Sequence, residues 1–501
     1  MRQMTLNRVL TCTVSALDID FTDAAGEAVV FNLGDIAWIL TSMALVFIMI
    51  PGLGFFYSGL LRRKNALSMI WTVMTTAAVV SFQWFFWGYS LAFSDTASPF
   101  IGDLKYFGLK GVLAEPSIGS PRIPALVFCI YQCMFAAITP GIAVGAIAER
   151  GRLGPILVFV FIWATIVYDP IACWTWNSNG WSLVMGGLDF AGGGPVHISS
   201  GSAALAISIY LGKRRGYGSP ALAYKPQNTS YVVLGTALLW FGWFGFNGGS
   251  ALSANLRATQ ACIVTNLAAC VGGLTWMLLD YRLENKWSTV GFCSGAISGL
   301  VAITPASGFV GAPAAVAYGV VGATACNFAT QLKFIGGGYD DALDIFASHA
   351  IGGIVGNILT AFFAQSSVAA FDGSTNIPGG WLDHHWIQLG YQIADSMAVL
   401  GYSFVVTTII LWFMHYIPGL SIRCSEMTEI IGVDDAEMGE YAYDYVGLVT
   451  ELAHTPLHMD VGATGGGREP DHHLEEHGKD PHPESSSSTA TGENEKSAMT
   501  S

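Results

Sequence analysis

Apolar runs of about 20 residues recur along most of the chain, and each is long enough to cross a hydrocarbon layer about 30 Å thick. Because such a layer holds no water, these runs are expected to form helices, whose backbone polar groups pair internally. The sequence therefore predicts an all-α, polytopic membrane protein with eleven transmembrane helices. The predicted spans are residues 36–61, 66–93, 123–148, 153–173, 196–212, 229–249, 259–281, 288–305, 311–331, 341–364 and 391–416.

Lysine and arginine are distributed unevenly between the loops on the two sides of these spans. Loops on one side carry 12 of them, whereas the other side, with the N-terminal segment, carries 6. Cytoplasmic loops are the richer in Lys and Arg, so the N-terminus is predicted outside and the C-terminus inside. Four regions follow, which are an extracellular N-terminal segment (1–34), a transmembrane domain (35–416), a cytoplasmic regulatory segment (417–445) and an acidic, largely disordered tail (446–501).

Two groups of five spans carry similar features at corresponding positions. Spans 1 and 6 contain the strings GFFYSG (54–59) and GFNGGS (245–250). Spans 5 and 10 each contain one histidine that follows an acidic residue, His197 and His349. Because five is an odd number, two such units are inverted relative to each other in the membrane, with one extra helix. Transporters built this way place their path between the repeats.

The acidity of the chain is concentrated at its C-terminal end. Residues 417–501 hold 17 acidic and 4 basic side chains, which accounts for most of the net charge of −14. No basic face remains to neutralise phosphates, and nucleic-acid binding is therefore not expected. Most of the nine cysteines stand alone within apolar runs, without CxxC spacing, so they read as small buried hydrophobes. Neither a metal nor a cofactor is predicted.

Of the 11 histidines, only His197 and His349 lie deep within spans. An ionisable side chain in hydrocarbon is costly unless it is partnered, which makes an intramembrane histidine a functional candidate. The alternative is a histidine that is hydrogen-bonded at a helix interface. Recurrence at corresponding positions favours a functional pair, because two neutral rings can share a proton and hydrogen-bond to a small polar solute. Asp189, before His197, either caps backbone amides or attracts a cation.

Aromatic side chains cluster at the outer ends of spans 3, 4 and 6. Most aromatic residues of membrane proteins belong to interfacial belts and helix packing. An aromatic mouth can also hold a compact cation through the ring quadrupoles, without a fixed negative charge. The cluster comprises Tyr131, Phe135, Trp174, Trp176, Trp243 and Phe246.

The remaining clusters of acidic residues and histidines are predicted to have structural rather than catalytic or metal-binding roles. Asp340, Asp341 and Asp344 open span 10, where carboxylates suit the positive end of the helix dipole. Residues 383–385 (DHH) lack further ligands at metal-binding spacing and read as solvated. The sequence contains no P-loop, GxSxG or HExxH motif, and an enzyme is therefore not expected.

Four strings in this order resemble the ammonium transporter, methylammonium permease and Rhesus protein family, over nearly all of residues 30–445. They are GFFYSG (54–59) followed by RRKN (62–65), DFAGGGPVH (189–197), WFGFNGGS (243–250) and DDALDIFASHAIGG (340–353). The extended acidic, Ser-rich tail, and the His where some fungal members carry Glu in span 5, resemble the fungal Mep2-type ammonium transporters.

The resemblance implies a homotrimer in the plasma membrane, surrounded by lipid, with one pore per subunit. The outer ammonium site would comprise Tyr131, Trp176 and Ser250, supported by Asp189. Phe135 and Phe246 would form the gate, and His197 and His349 would line the pore. Bacterial members commonly carry Phe at the position of Tyr131. We expect the hydroxyl of Tyr131 to alter the outer site without changing the substrate.

The resemblance also implies that the cytoplasmic segment docks under the pores and couples the subunits, through the strings that contain Gly432, Asp434, Gly439 and Glu440. The serines of the tail are candidate sites for a kinase, because added charge shifts docking. Their alternative is an unmodified, solvated linker. The candidate phosphorylation sites are Ser485, Ser486, Ser487 and Ser488.

Ammonium uptake is the function that the resemblance implies, with methylammonium as a second substrate. Ammonium would bind at the aromatic site and lose a proton, and ammonia and the proton would then pass the two histidines. Two alternatives remain open, an ammonium sensor that signals through its tail and an ammonia gas channel that carries no current.

Overall fold

The structure, a computed structural model, describes residues 18–22, 26, 28–219, 225–335 and 338–443. Within these ranges the chain is mostly helical. The α-helices are α1 (Leu33–Leu60), α2 (Ala66–Gln83), α3 (Tyr89–Phe93), α4 (Ala125–Ala143), α5 (Leu153–Trp163), α6 (Asp169–Trp176), α7 (Trp181–Met185), α8 (Ser199–Leu211), α9 (Thr229–Gly249), α10 (Leu256–Glu284), α11 (Thr289–Ile303), α12 (Ala312–Ala329), α13 (Gly352–Phe363), α14 (Ser366–Ala369), α15 (Gln388–Tyr416) and α16 (Glu426–Ile431).

Shorter helical turns extend or connect these helices. π-Helical turns occur at Trp84–Gly88, Ala164–Tyr168, Gly193–Ile198, Phe346–Ile351 and Asp434–Met438. Turns of 3₁₀-helix occur at Arg63–Asn65, Phe107–Leu109, Val144–Ile147, Thr304–Ala306, Thr330–Phe334, Ala370–Asp372 and Trp381–Asp383.

Ten helical segments in the described ranges are long and apolar enough to cross a membrane. In chain order they correspond to the predicted spans 1–4 and 6–11. The predicted fifth span coincides with the turn Gly193–Ile198 followed by α8. Its glycines, serines and histidine make this helix less apolar than the other ten. The protein is a multi-pass membrane protein, and the count of eleven spans stays a prediction.

A short antiparallel hairpin precedes α1 and was not expected from the sequence. Strand β1 (Asp18–Thr22) pairs with β2 (Ala28–Asn32), with Asp18 opposite Asn32. Asn32 Nδ2 donates to Asp18 Oδ1 at 2.7 Å, and its side-chain oxygen accepts from the Asp35 amide at the start of α1. Strands of five residues give little periodic signal, which is why an all-α prediction omits them.

Helices α1 and α9 pack against each other more extensively than any other pair of described elements. Small residues allow this close approach. A Cβ atom on Gly242 would lie 2.2 Å from Met49 Cγ, and one on Gly235 would lie 2.4 Å from the Phe56 amide nitrogen. The helices that begin the two predicted repeats are therefore in direct contact.

Contacts divide the chain into two units, Met1–Asp444 and Tyr445–Ser501. The second unit lies outside the described residues, and so do the four candidate phosphorylation sites, Ser485 to Ser488.

Candidate functional site

His197 and His349 face each other among the long helices. Their Nδ1 atoms are 3.2 Å apart and their ring centroids 5.4 Å apart. Both side chains are buried, and each lies in a π-helical turn, Gly193–Ile198 or Phe346–Ile351. At this distance one Nδ1 atom donates and the other accepts, so two neutral rings share one proton between their Nδ1 atoms. Turns of this kind are frequent at functional sites.

Two cavities lie beside the histidine pair and share His349 as a lining residue. One is lined by His197 and His349 together with apolar side chains that include Leu53, Ile138 and Trp243. The other is lined by His349, Tyr57, Ser294, Asp344 and Ser348, among other residues. His349 lines both cavities, so the histidine pair lies where a narrow apolar space adjoins a more polar one.

Trp243 supports the ring of His197 from one side. The two rings stack with centroids 5.5 Å apart and planes inclined by 21°. Trp243 Nε1 donates to Thr304 Oγ1 at 2.9 Å, which fixes the indole. The orientation of the His197 ring is therefore set by packing as well as by its bond to His349.

Phe135 and Phe246 form a close ring pair beside His197. Their centroids are 4.2 Å apart, and the centroid of Phe246 is 6.2 Å from that of His197. Phe135 also contacts Tyr131 at 5.1 Å and Trp176 at 5.9 Å. The two phenyl rings thus link the Tyr131 and Trp176 group to the histidines.

The hydroxyl groups of Tyr131 and Ser250 meet at the end of α9. Tyr131 Oη lies 2.9 Å from the Gly245 carbonyl and 3.0 Å from the Phe246 carbonyl, and it donates to this pair. Ser250 Oγ donates to the Phe246 carbonyl at 2.9 Å, and the two hydroxyl oxygens are 3.4 Å apart. The predicted outer residues therefore lie together, next to the predicted gate.

Trp174 lies apart from the aromatic cluster to which the sequence assigned it. Its ring packs against Phe100 at 5.4 Å and Tyr402 at 4.9 Å, and its Nε1 donates to the Phe100 carbonyl at 2.8 Å. Trp174 and Trp176 are two positions apart on α6, so their side chains point to different sides of the helix.

Asp189 uses its carboxylate on backbone amides. Its Oδ1 accepts from Gly192 at 2.7 Å and Gly193 at 2.8 Å, and its Oδ2 accepts from Gly194 at 2.6 Å. The Asp189 carbonyl accepts from Trp176 Nε1 at 3.2 Å, which ties this turn to the outer aromatic group. Of the two roles that the sequence left open for Asp189, this geometry favours the capping role.

The segment after α16 packs on the beginning of α2. Asp434 accepts from the amides of Leu67 at 2.9 Å and Ser68 at 2.8 Å, and the Val433 amide donates to Asn65 Oδ1 at 2.9 Å. Gly432 has a φ of 119°, and a Cβ atom there would lie 2.5 Å from the Lys64 carbonyl oxygen. The conformation and the space both require glycine at this position.

Gly439 and Glu440, the other two residues predicted in this segment, contribute less to the docking. Gly439 has a φ of 65°, with open space around its α-carbon, and Glu440 is exposed. The structure therefore brings Gly432 and Asp434 against α2, whereas Glu440 lies at the surface.

Comparison with known proteins assigns the chain to a family. The profile of the Ammonium Transporter Family matches residues 37–443. The chain belongs to the ammonium transporter family. Ammonium transporter 1 of Schizosaccharomyces pombe is 58% identical over 416 residues, 83% of each chain, and MEP2 of Saccharomyces cerevisiae is 49% identical over 423 residues, 83% of this chain and 84% of the relative.

Solved structures of the family have the same fold. The crystal structure of Candida albicans Mep2 matches with a TM-score of 0.77 and 53% identity, over 82% of this chain and 91% of that one. The crystal structure of Saccharomyces cerevisiae Mep2 matches with a TM-score of 0.75 and 50% identity, over 79% and 91% of the two chains. The resemblance to fungal members that the sequence indicated is thereby confirmed.

An ion cluster between the loops of this family member was missed by the sequence analysis. Arg214 Nη1 lies 2.9 Å from Glu149 Oε2, and Arg214 Nε lies 2.8 Å from Asp340 Oδ2. Arg62 also pairs with Glu149, at 2.8 Å. Burial alone would raise the pKa of Glu149, but Arg214 and Arg62 outweigh it and hold that pKa below its usual value. Asp340, which the sequence predicted to interact with the helix dipole at the start of span 10, also forms an ion pair with Arg214.

Glu429 is a second residue that the sequence analysis did not single out. It is 5% exposed, accepts from the Arg215 amide at 2.9 Å and pairs with Arg423. Its carbonyl accepts from Lys64 Nζ at 2.9 Å. Its position five residues before Asp434, in the same cytoplasmic segment, is the feature of the sequence that could have indicated a docking role for Glu429.

Residues 383–385 have structural contacts. Asp383 Oδ2 accepts from the Ser366 amide at 2.6 Å, and the His384 ring lies 6.0 Å from that of Trp386. In the described part of the chain no group of three or more His, Cys, Asp or Glu side chains is placed to hold a metal ion.

Proposed function

We propose that the protein carries ammonium inward across the plasma membrane, as a homotrimer with one pore per subunit. The observation that carries this proposal is the buried pair of His197 and His349 beside an apolar cavity, with the ring pair of Phe135 and Phe246 next to it. The relatives named ammonium transporters support the choice of substrate.

The chemistry of the site suits a cation that can lose its charge. At the outer site, the ring faces of Tyr131 and Trp176 and the hydroxyl of Ser250 replace part of the hydration shell of ammonium. Moving the bare cation through an apolar cavity would cost many kilocalories per mole. Breaking one N–H bond near the phenyl pair leaves ammonia, which keeps the electron pair, while the proton forms a bond to a ring nitrogen of the histidine pair. The two then pass the histidines separately.

The membrane arrangement belongs to the same proposal. Eleven spans form two inverted five-helix repeats and one extra helix, with the N-terminus outside and the C-terminus inside. Direct packing of α1 on α9 and the matching π-helical turns around His197 and His349 support the inverted repeats. In this arrangement residues 1–34 are extracellular, 35–416 form the transmembrane domain, and 417–445 and 446–501 are the regulatory segment and the tail.

A regulatory role for the segment 417–445 rests on its contact with α2. Asp434 and Val433 satisfy polar groups at the start of that helix, so a change in the tail can alter how this helix is held. Phosphorylation within Ser485–Ser488 is the proposed input. A sensor that signals through this segment is the second candidate, and signalling that survives in a transport-dead pore variant would favour it.

Replacing both histidines tests the pore proposal. The double variant His197→Leu with His349→Leu should lose the ammonium-evoked current in expressing cells, because no imidazole remains at the narrow point to bind the solute or take up its proton. His415→Leu is the matched control, since His415 contacts Tyr210 at the end of α15 and lies away from the pair. An ammonium current of normal size in the double variant would refute the role of the pair.

A further inference from the structure

One face of α15, a helix long enough to cross a membrane, carries polar side chains that are buried within the protein. Gln388, Gln392, Asp395 and Ser396 are each no more than 2% exposed. Gln392 makes two bonds to Leu188, accepting from its amide at 2.7 Å and donating to its carbonyl at 2.8 Å. Since Leu188 directly precedes Asp189, α15 holds the backbone that positions the Asp189 turn.

Asp395 lies on this face with few hydrogen-bond donors around it. Its Oδ1 accepts from Ser182 Oγ at 2.5 Å. Its Oδ2 has one weak contact, with Asn357 Nδ2 at 3.4 Å, beyond the usual hydrogen-bond length. Among the described residues no lysine or arginine lies within ion-pairing distance of Asp395 or Asp189.

The carboxyl groups of Asp395 and Asp189 approach the same point beside Gly194. A Cβ atom on Gly194 would lie 3.2 Å from Asp395 Oδ2 and 3.4 Å from Asp189 Oδ2. Two buried carboxylates that approach one point from either side, without a lysine or arginine beside them, cannot both be ionised at low cost. One of the two therefore carries a proton.

The hydrogen bonds decide which carboxyl group keeps the charge. Asp189 accepts three backbone amides at the start of a helical segment, and such donors stabilise the ionised form. Asp395 has one good donor, Ser182, and its Oδ2 lacks one. The proton therefore belongs on Asp395 Oδ2, which faces the Asp189 side of Gly194.

We propose that Asp395 is a positioning residue, held as a neutral carboxylic acid, which steadies the Asp189 turn and leaves it with a single negative charge. Asp189 is joined to the outer aromatic group through its bond from Trp176. Because Coulomb attraction grows with charge, one negative charge beside that group attracts a cation less strongly than two would. The consequence for ammonium rests on the proposed function, but the protonation of Asp395 does not.

Infrared difference spectra of the purified full-length protein test the protonation directly. The wild type minus Asp395→Asn spectrum should contain the C=O stretching band of a buried carboxylic acid. Asp35→Asn is the control, because Asp35 pairs with Arg122 at 2.6 Å and its difference spectrum should contain carboxylate bands but no carboxylic-acid band. Carboxylate bands without a carboxylic-acid band in the Asp395→Asn difference would overturn the proposal. This readout needs no transport, so it is independent of the proposed function.

Uptake measurements test the positioning role. Asp395→Asn, which is neutral and can still hydrogen-bond, should retain uptake within about threefold of the wild type, whereas Asp395→Ala should lose roughly tenfold, equivalent to one hydrogen-bond energy of about 1.4 kcal/mol. Equal losses in both variants would contradict the idea that a neutral hydrogen-bonding group suffices. Thermal unfolding of each variant identifies an Ala variant that fails to fold, in which case the Asn variant and the infrared spectra decide.

Discussion

At the scale of single residues, the protein places polar atoms where water is scarce, and some of them have few or no hydrogen-bond partners among the described residues. The histidine pair is the clearest case, because each imidazole has only the other as a partner for its Nδ1 atom among the described residues. His197 Nε2 has no hydrogen-bond partner in the same part of the chain. An unsatisfied ring nitrogen in an apolar cavity is available to a small polar solute.

The two histidines should be energetically coupled. His349→Leu leaves His197 Nδ1 without a partner and should cost about 1–3 kcal/mol of stability. The double Leu variant should be more stable than the sum of the single variants predicts, because it leaves no orphaned nitrogen. Thermal unfolding of the four proteins in detergent measures this. Strictly additive effects would mean that the rings do not share a hydrogen bond.

The hydroxyl of Tyr131 should affect stability more than substrate choice. Tyr131→Phe keeps the ring against Phe135 and removes the bonds to the Gly245 and Phe246 carbonyls, at a cost of about 1 kcal/mol. Competition between ammonium and methylammonium in uptake assays should be unchanged. A variant that no longer discriminates between the two would show that the hydroxyl contacts the substrate.

At the scale of elements, helix ends in this protein are completed by distant parts of the chain. The side chain of Asn65, at the start of α2, makes no cap of its own and instead accepts from Val433. Asp434 supplies the missing cap to Leu67 and Ser68. Because the cap comes from a different segment, the first turn of α2 loses these hydrogen bonds when that segment moves away.

Removing the Asp434 cap should destabilise the first turn of α2. Asp434→Ala should cost about 1 kcal/mol and raise the hydrogen exchange of the amides near Leu67. Glu440→Ala is the control, because Glu440 is exposed in the same segment. If exchange near Leu67 rises equally in both variants, the cap is not what holds the segment.

The ion cluster around Arg214 should make stability depend on pH in the acid range. The pKa values of Glu149 and Asp340 lie below their ordinary values of 4.5 and 3.8, against the effect of burial, because Arg214 is adjacent to both carboxylates and a second arginine lies near each of them. The unfolded chain therefore binds these protons more readily, so the stabilisation is complete above about pH 5 and is lost as the pH falls further.

Arg214→Met should weaken this dependence and cost about 3–5 kcal/mol at neutral pH, because two buried carboxylates each lose an ionic partner, although Arg62 still pairs with Glu149. Thermal unfolding between pH 7 and about pH 4 measures both effects. Equal acid sensitivity in the wild type and the variant would contradict the assignment.

At the scale of the whole molecule, features set by the local order of residues, such as long apolar helices and motifs, could be predicted from the sequence. Contacts between helices and loops that are distant in the sequence could not. The apolar runs locate ten long helices, and the motifs place His197 and His349 in one pair. Apolarity does not report which face of α6 Trp174 occupies, nor that Arg214 reaches Glu149 and Asp340 from separate loops. Those contacts arise only when the helices assemble.

The ammonium-evoked current in proteoliposomes that contain the purified protein, recorded with an internal pH dye, tests the central claim most directly. The account predicts a transient current that grows with the ammonium concentration, because ammonia and a proton both cross. Internal alkalinisation beyond that of protein-free vesicles, without any current, would contradict it and indicate an ammonia channel. The absence of both signals would contradict transport itself.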